Sequence, residues 1–139
     1  MILIISDYHG HEQEVIKLIE RHKPDYVLCC GDGQSSDEFY QNHHILSVLG
    51  NCDTAKLPLI WSGTLENQDI LMTHGHLYAV YFDLNKLYYL ALEHHAKYVF
   101  YGHTHIQKLE EFEGITFLNP GAILDGNYAL LDHGKITLI

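Results

Sequence analysis

The stretch Lys97-Tyr98-Val99-Phe100-Tyr101-Gly102-His103-Thr104-His105 gives the first clue to the fold. It opens with a β-branched and aromatic run of strand length, and two histidines follow directly after it. In open α/β sheets, functional groups collect at the carboxyl ends of strands because the connecting loops converge there. Side chains two residues apart in an extended chain point the same way but stay several ångströms apart. We therefore expect the two imidazoles to face one site, where each could bind a different ion of a metal pair.

The amino-terminal part of the chain predicts parallel strands joined by a helix. Residues 1–5 are a continuous apolar run, which is typical of a strand covered on both faces. Apolar residues then recur at helical spacing over residues 11–22, and Lys23-Pro24 ends that pattern. Residues 26–30 form the next strand. Strand, helix and strand over this length predict a βαβ unit, which is parallel and right-handed.

The rest of the chain predicts further strands and, at its end, antiparallel hairpins. A short helical turn capped by Ser36 or Asp37 precedes a third strand over residues 44–49. Later elements are strands at 57–61 and 68–72, a helix from Asp83 to near His95, and hairpins around Glu113-Gly114 and His133-Gly134. We expect a single domain over residues 1–139, of class α/β, with two packed sheets and helices outside them.

Composition and charge narrow the class of protein. The chain has 139 residues, 47% of them hydrophobic, and a formal net charge of −10. That charge argues against a broad nucleic-acid-binding surface, and no apolar run reaches the length of a membrane span. Three cysteines, of which Cys29 and Cys30 are adjacent, make no disulfide framework, and we expect this pair to be small buried strand residues. We therefore expect a cytoplasmic protein without a membrane partner.

Strand after strand ends in a glycine-flanked side chain that could bind a metal ion. These side chains are Asp7, His9, Asp32, Asn51, His74, His103 and His105. Seven nitrogen and oxygen donors suit two divalent ions when one carboxylate bridges them. Each residue alone could be an ordinary loop residue, but their repeated position favours a shared site. Donors without a thiolate favour Mn²⁺, Fe, Co²⁺, Ni²⁺ or Zn²⁺.

The motifs of the chain resemble those of the calcineurin-like metallophosphoesterases, and in particular the small phosphodiesterases of the YfcE type. The resemblance spans nearly the whole chain and rests on Asp7-x-His9, Gly31-Asp32, Gly50-Asn51, His74-Gly75-His76, Gly102-His103-Thr104-His105 and Asn119-Pro120-Gly121. It implies a four-layer α/β/β/α sandwich of two mixed β-sheets flanked by helices. It also implies two bound divalent ions, with Mn²⁺ favoured.

Position by position, the resemblance divides the ligands between the two ions. One ion would be bound by Asp7, His9, Asp32 and His105, and the other by Asp32, Asn51, His74 and His103, so that Asp32 bridges them. The implied function is a dinuclear phosphodiesterase that hydrolyses a small phosphate ester through a hydroxide bridging the ions. The catalytic candidates are Asp32, Asn51, His74 and His76. His76 could hydrogen-bond substrate or leaving group, or could be a structural residue beside the ligands.

Two positions depart from the pattern of the broader family. The residue after Asn51 is in many members a histidine that assists the leaving group, whereas here it is Cys52. A neutral thiol with a pKa of about 8.5 is a weaker general acid, so we expect inefficient cleavage of monoesters. YfcE-like enzymes also carry cysteine there. Ser35 stands where the family often has an aspartate, but that position lies outside the implied ligand set.

Two other functions stay open on the sequence alone. A retromer subunit resembling these enzymes serves mainly as a scaffold, so the fold does not secure catalysis. A complete set of ligand side chains favours an enzyme over a scaffold. A phosphomonoesterase is the second alternative, and assay separates it from a diesterase.

The tyrosines and the oligomeric state carry weaker expectations. Tyr78 and Tyr81 follow the His74 loop and could contact substrate, although aromatic side chains more often pack in a core, as we expect for Tyr88. Related proteins often form homodimers, but no segment of the sequence identifies an interface.

Overall fold

Two five-stranded mixed sheets form the centre of the molecule. The computed structural model describes residues 1–139. The first sheet has the order β10-β9-β1-β2-β3, with β1 (Ile2–Ile5), β2 (Tyr26–Cys29), β3 (Ile45–Ser47), β9 (Ala129–Asp132) and β10 (Lys135–Leu138). The second has the order β4-β5-β6-β8-β7, with β4 (Ile60–Leu65), β5 (Gln68–Thr73), β6 (Tyr98–Phe100), β7 (Lys108–Phe112) and β8 (Ile115–Asn119).

Helices flank the two sheets. They are α1 (Glu12–His22), α2 (Asp37–Asn42) and α3 (Asn85–Glu93), and a single 3₁₀ turn covers Ile123–Asp125. The α1 helix lies between the parallel strands β1 and β2, as the βαβ unit predicts. The α2 helix begins after Ser36, whose hydroxyl accepts a hydrogen bond from the N–H of Phe39 and so caps the first turn.

Strand direction follows the expected division of the chain. In the first sheet, β1, β2 and β3 are parallel, and the last hairpin joins them antiparallel through β9. In the second sheet, β5, β6 and β8 are parallel, while β4 and β7 are antiparallel edge strands. Parallel strands present their carboxyl ends at one edge of a sheet, and both sheets use that edge for polar loops.

Alternating side chains of the central strands build three hydrophobic layers. Ile2 and Ile4 pack between the sheets with Phe100 and other residues of the second sheet. Leu3 and Ile5 point the other way and pack against residues of α1. A third cluster places α3 on the outer face of the second sheet. This arrangement is the predicted α/β/β/α sandwich, and each fully buried aliphatic side chain stabilises it by about 1.5–3 kcal/mol.

Two of the predicted elements are displaced. The strand expected at 57–61 lies at Ile60–Leu65 instead, because Glu66 and Asn67, with φ of 51° and 64°, form the hairpin turn to β5 without any glycine to signal it. The third helix begins at Asn85 with Leu84 at its N-cap, while the Asp83 carboxylate accepts the Asn85 N–H at 3.0 Å. Asp83 therefore assists the helix start from one position further out.

Cysteine burial agrees with the expectation from the sequence. Cys29 and Cys30 are fully buried in the two layers that flank the first sheet, and Cys52 is exposed. Separately, none of the helices combines the length and the apolar character that crossing a bilayer requires.

Candidate metal centre

Five loops bring polar side chains together where the strands of the two sheets end. The loops follow β1, β2, β3, β5 and β6, and they carry the eight predicted site residues Asp7, His9, Asp32, Asn51, His74, His76, His103 and His105. Two groups of these residues have closely spaced donor atoms. We call Asp7, His9 and His105 the outer half of the site, and Asp32, Asn51 and His74 the inner half.

The outer half joins the first and last of these loops. The Asp7 Oδ1 atom lies 3.1 Å from Nε2 of His105 and 3.9 Å from Nε2 of His9, and the two Nε2 atoms are 3.5 Å apart. The His9 Nδ1 atom lies 2.8 Å from Oε1 of Gln34 and donates to it. This hydrogen bond leaves the lone pair of His9 Nε2 facing Asp7 and His105, the orientation that a metal ligand requires.

The inner half is organised around a fully buried imidazole. His74 Nδ1 donates to the backbone carbonyl of Cys30 at 2.7 Å, so in the neutral ring Nε2 carries the lone pair. That nitrogen faces Asn51 Oδ1 at 3.0 Å and Asp32 Oδ2 at 3.2 Å. Three acceptor atoms therefore point at one another, an arrangement that a proton or a cation must relieve.

The two halves adjoin each other through the two carboxylates. Asp7 Oδ1 lies 4.0 Å from His74 Nε2, and donor atoms of Asp7, Asp32 and His74 all lie within 4.8 Å of one another. Donor atoms of His9, Asp32 and Cys52 form another such group. Asp32 therefore has close neighbours in both halves, as a bridging carboxylate would.

The other two predicted histidines lie beside the inner half. The ring centroid of His103 is 5.1 Å from that of His74, and its backbone N–H donates to Asp7 Oδ2 at 3.2 Å. The imidazole of His103 belongs to none of the three groups of closely spaced donors. The His76 ring lies 5.4 Å from His74, with a buried Nδ1 that has no hydrogen-bond partner. The ligand roles of His103 and the other site residues stay predictions.

The chemistry of the donor set fits divalent cations. Asp7 Oδ1 is buried and has no hydrogen-bond donor, although three imidazole nitrogens surround it. Neither Asp7 nor Asp32 forms an ion pair with a lysine or an arginine. A buried carboxylate without such a partner is unfavourable unless a cation is bound or a proton is shared.

The electrostatics of the inner half agree with this conclusion. Burial opposes ionisation of Asp32, but hydrogen bonds with His74 and the Cys52 N–H lower its pKa to about 2. Burial would likewise lower the pKa of His74, yet the hydrogen bond to Asp32 and the charge of Asp7 raise it above its ordinary value. Burial and the neighbouring His74 lower the pKa of His76 and of His103. The site thus holds negative charge at its centre and neutral imidazoles at its side.

Most of the predicted ligands lie in loop backbone of left-handed conformation. Five of the predicted ligands have positive φ angles, namely Asp7 at 54°, His9 at 41°, Asp32 at 54°, His103 at 70° and His105 at 63°. Residues other than glycine rarely adopt this left-handed conformation, which persists only where the surrounding structure enforces it.

Two glycines let these loops approach each other. A Cβ atom on Gly50 would lie 2.0 Å from Asp32 Oδ1, and one on Gly102 would lie 2.1 Å from Ser6 Oγ. Both positions therefore require glycine because the neighbouring loop occupies the space of a side chain. The glycine-flanked pattern in the sequence reflects this close packing of loops.

Sequence reasoning assigned no role to three residues that hold the site together. The Asp53 carboxylate accepts the backbone N–H groups of Asp32, Gly50 and Gln34 at 2.7–2.8 Å. The buried Asn119 donates to the carbonyl of Gly102 and to Thr104 Oγ1, while Gln34 orients His9. Asn119 belongs to the Asn119-Pro120-Gly121 motif. For Asp53, the turn-forming run Gly50-Asn51-Cys52-Asp53 was the feature of the sequence that could have indicated a role.

Ser35 and the three tyrosines considered in the sequence also have defined positions. The Ser35 hydroxyl shares a buried hydrogen bond of 2.7 Å with Tyr8, so it has a structural partner. Tyr81 packs its ring against His103, with centroids 4.9 Å apart, and its hydroxyl donates to the His103 carbonyl. Tyr88 packs at the edge of the outer cluster on α3, close to its expected place in the core. Tyr78 packs there as well.

Fold and site together define a metallophosphoesterase-like protein, and comparison with known proteins agrees. The chain belongs to the calcineurin-like phosphoesterase superfamily, whose domain profile matches residues 1–133. This finding confirms the resemblance seen in the motifs. It also accords with the two mixed sheets flanked by helices.

Several curated relatives carry enzyme names. "Probable metallophosphoesterase YsnB" of Bacillus subtilis is 37% identical over 127 residues, which are 88% of this chain and 74% of the relative. "Phosphodiesterase YfcE" of Escherichia coli is 29% identical over 112 residues, which are 70% of this chain and 57% of the relative.

Solved structures include both enzyme-like and other relatives. A Streptococcus pneumoniae protein described as a predicted phosphoesterase superposes with a TM-score of 0.80 at 34% identity, over 88% of this chain and 72% of that one. Vacuolar protein sorting 29 of Cryptosporidium parvum superposes with a TM-score of 0.77 at 21% identity, over 99% of this chain and 94% of that one. The second likeness concerns the fold alone.

Proposed function

We propose that this chain is a phosphodiesterase that uses two divalent metal ions to hydrolyse small phosphate diesters. The observation that carries the proposal is the meeting of two donor groups at Asp32 and Asp7, with a buried Asp7 oxygen that lacks any hydrogen-bond donor. The family to which the chain belongs and the names of its relatives support the same class of chemistry.

The proposed ligands follow the two halves of the site. One ion would be held by the outer half together with Asp32, and the other by the inner half together with His103. Divalent ions in such a site supply Lewis acidity, which offsets phosphate charge and makes water a stronger nucleophile near neutral pH. The nitrogen and oxygen donors suit Mn²⁺, and also Fe, Co²⁺, Ni²⁺ or Zn²⁺.

The residues of the chain contribute orientation and local charge. The Cys30 carbonyl and Gln34 fix which nitrogen His74 and His9 present to the site. Two divalent ions outweigh the two carboxylates of Asp7 and Asp32, so the loaded site attracts a phosphate despite the overall charge of −10. His76, with its pKa lowered by burial and by His74, would present a neutral imidazole to the substrate or the leaving group.

The diester preference rests on Cys52. Partial desolvation and the charge of Asp32 raise the pKa of its thiol in the metal-free protein, and a thiol is a weak acid for a poor leaving group. Aryl diesters need little assistance at the leaving oxygen, whereas alkyl monoesters need more. We therefore propose slower turnover of monoesters, which are the alternative substrate class.

The test is hydrolysis of bis(4-nitrophenyl) phosphate by the purified chain before and after chelation. We expect metal-free protein to lose activity and added Mn²⁺ to restore it. Equal rates with and without chelated metal would contradict the proposed mechanism. A parallel assay with an alkyl monoester, glycerol 2-phosphate, followed by release of inorganic phosphate, should give a lower kcat/KM than the diester, because its alkoxide leaving group needs the acid that Cys52 supplies poorly.

The scaffold alternative is supported by the fold shared with vacuolar protein sorting 29 proteins and by sequence similarity to one curated relative of that name. It predicts a chain that binds metal and hydrolyses no ester from a broad panel. The complete donor set favours an enzyme. The single domain, the cytoplasmic location, the lack of a broad nucleic-acid surface and the homodimer stay predictions.

A further inference from the structure

We propose that the cavity beside the candidate metal centre binds one ester group of the substrate, and that this group is aromatic and carries no negative charge. The inference rests on the proposed function, because it assigns the substrate class of the same site. It depends on three features of the cavity, namely its lining, the wall that it shares with the centre and its charge.

The cavity lies between the segment that precedes α3, the α3 helix itself and strand β7. Its volume is about 560 Å³, which falls within the range of small-molecule binding sites. Six aromatic side chains line it: Tyr81, Phe82, Tyr88, Tyr101, Phe112 and Phe117. Phe82 is 88% exposed and Phe112 is 56% exposed, so a ring entering the cavity would cover apolar surface that now faces water.

The cavity shares a wall with the candidate metal centre. Tyr81 lines it, packs its ring against His103 and donates to the His103 carbonyl at 3.2 Å. Thr104 also lines it and stands between the two predicted ligands His103 and His105. Asn119 holds Thr104 in place by donating to its hydroxyl at 2.9 Å. A phosphate at the centre would therefore have one ester arm directed past Tyr81 and Thr104 into the cavity.

The charges around the cavity exclude an anionic arm. Its lining includes three carboxylates, Asp83, Glu110 and Glu111, and a single cation, Lys108. The Lys108 ammonium lies 3.3 Å from Glu110 and is paired with it, so Asp83 and Glu111 leave the lining net negative. A second phosphate or a carboxylate on the ester arm would be repelled, whereas a neutral ring would not.

The kinetic test uses three diesters with the same 4-nitrophenolate leaving group and different second ester groups. These are methyl, phenyl and 4-carboxyphenyl 4-nitrophenyl phosphate. We expect the KM of the phenyl diester to be about tenfold below that of the methyl diester, because the ring buries apolar surface. The carboxyphenyl diester should lose most of that advantage. Equal KM values for all three would overturn the cavity assignment and leave the hydrolase intact.

Two variants connect the effect to the cavity. Phe82→Ala should raise the KM of the phenyl diester several-fold and leave that of the methyl diester unchanged. Leu92→Ala is the control, because Leu92 is exposed on α3 and does not line the cavity. Glu111→Lys should lower the KM of the carboxyphenyl diester relative to the phenyl diester. The proposal would be contradicted if Phe82→Ala left the ratio of phenyl to methyl KM unchanged and Glu111→Lys left the ratio of carboxyphenyl to phenyl KM unchanged.

A binding measurement separates this proposal from the proposed function. Amide chemical shifts of the Zn²⁺-loaded protein are followed during titration with phenylphosphonate and, separately, with methylphosphonate. We expect the phenyl compound alone to shift amides in residues 80–85 and 108–112. If these shifts occur but no diester is hydrolysed, the cavity assignment stands and the hydrolase fails. Identical shifts with both compounds would overturn the cavity assignment.

Discussion

The inner and outer halves of the candidate metal centre use similar side chains in different surroundings. In the inner half, the His74 side chain is fully buried and that of Asp32 is 4% exposed. In the outer half, the side chain of His105 is 43% exposed and that of His9 is 23% exposed. A backbone carbonyl orients His74, whereas the side chain of Gln34 orients His9.

This difference indicates that the two halves are preorganised to different degrees. A backbone carbonyl in a buried strand end has one position, so His74 is held before any ion binds. An exposed glutamine has rotamer freedom that must be lost when it orients an imidazole. We therefore expect the inner half to bind its ion more tightly and the outer half to release its ion first on chelation.

The largest effect is expected from removing the carboxylate that the halves share. Asp32→Ala should abolish binding of both ions and reduce diester hydrolysis by about a thousandfold or more, because both halves lose a ligand. Mass spectrometry measures how many ions are bound, and hydrolysis of the aryl diester measures the loss of activity. Asp125→Ala, at an exposed carboxylate that belongs to none of the groups of closely spaced donors, should bind metal and turn over like the unaltered protein. Two ions retained by the Asp32 variant would refute the bridging role.

Comparing one imidazole from each half tests the difference in burial directly. His74→Ala should lower the free energy of unfolding by about 3 kcal/mol in metal-free protein, because it leaves a buried cavity and an unpaired Cys30 carbonyl. His105→Ala should change it by no more than about 0.5 kcal/mol, since the ring is exposed. Urea unfolding measures both. Equal losses would show that burial does not distinguish the halves.

A smaller effect is expected at the carboxylate that supports the inner half from behind. Asp53→Asn replaces one of the two oxygens that accept from three backbone N–H groups with an NH₂ donor, so at least one N–H loses its acceptor and stability should fall by about 1–3 kcal/mol. Affinity for the inner ion should fall about tenfold, with less change at the outer ion. Calorimetric metal titration measures the affinity for each ion separately.

The matched control for that change is Asp69→Asn. Asp69 is exposed, and its side chain accepts one hydrogen bond, from Thr64. Its substitution should leave both metal affinities unchanged. If the Asp53 variant lost as much affinity for the outer ion as for the inner ion, the two halves would not be supported independently.

The smallest effect is expected at Cys52, which lies near both halves. Partial desolvation and the charge of Asp32 raise the pKa of the thiol in the metal-free protein. Cys52→Ser replaces one neutral group with another, so the pH–rate profile should superimpose and rates should agree within about twofold. A basic limb that disappears in the serine variant would instead identify a titrating thiolate.

Much of the fold could be predicted because local patterns agree with the tertiary structure. The apolar run at residues 2–5 gave a buried strand, and Glu113-Gly114 and His133-Gly134 gave hairpin turns. The turn at Glu66-Asn67 escaped prediction because neither residue is glycine, although both adopt positive φ. The N-cap of α3 is Leu84, one residue after the expected Asp83. An aspartate can stabilise a helix start from more than one position, so the sequence did not fix the first residue of the helix.

The sequence by itself determined which side chains could form the site, because each candidate ligand lies in the loop that follows a strand and parallel strands end at one edge. Only the tertiary structure decided how the candidates are supported and which lie closest. Asp53 and Asn119 gained their roles through hydrogen bonds to loops distant in the sequence, as the separations of 21 residues between Asp53 and Asp32 and 17 residues between Asn119 and Gly102 illustrate. The cavity lined by Phe82 and Phe112 likewise exists only because α3 and β7 pack side by side. Such contacts depend on chain folding in three dimensions, which no local pattern of residue types encodes.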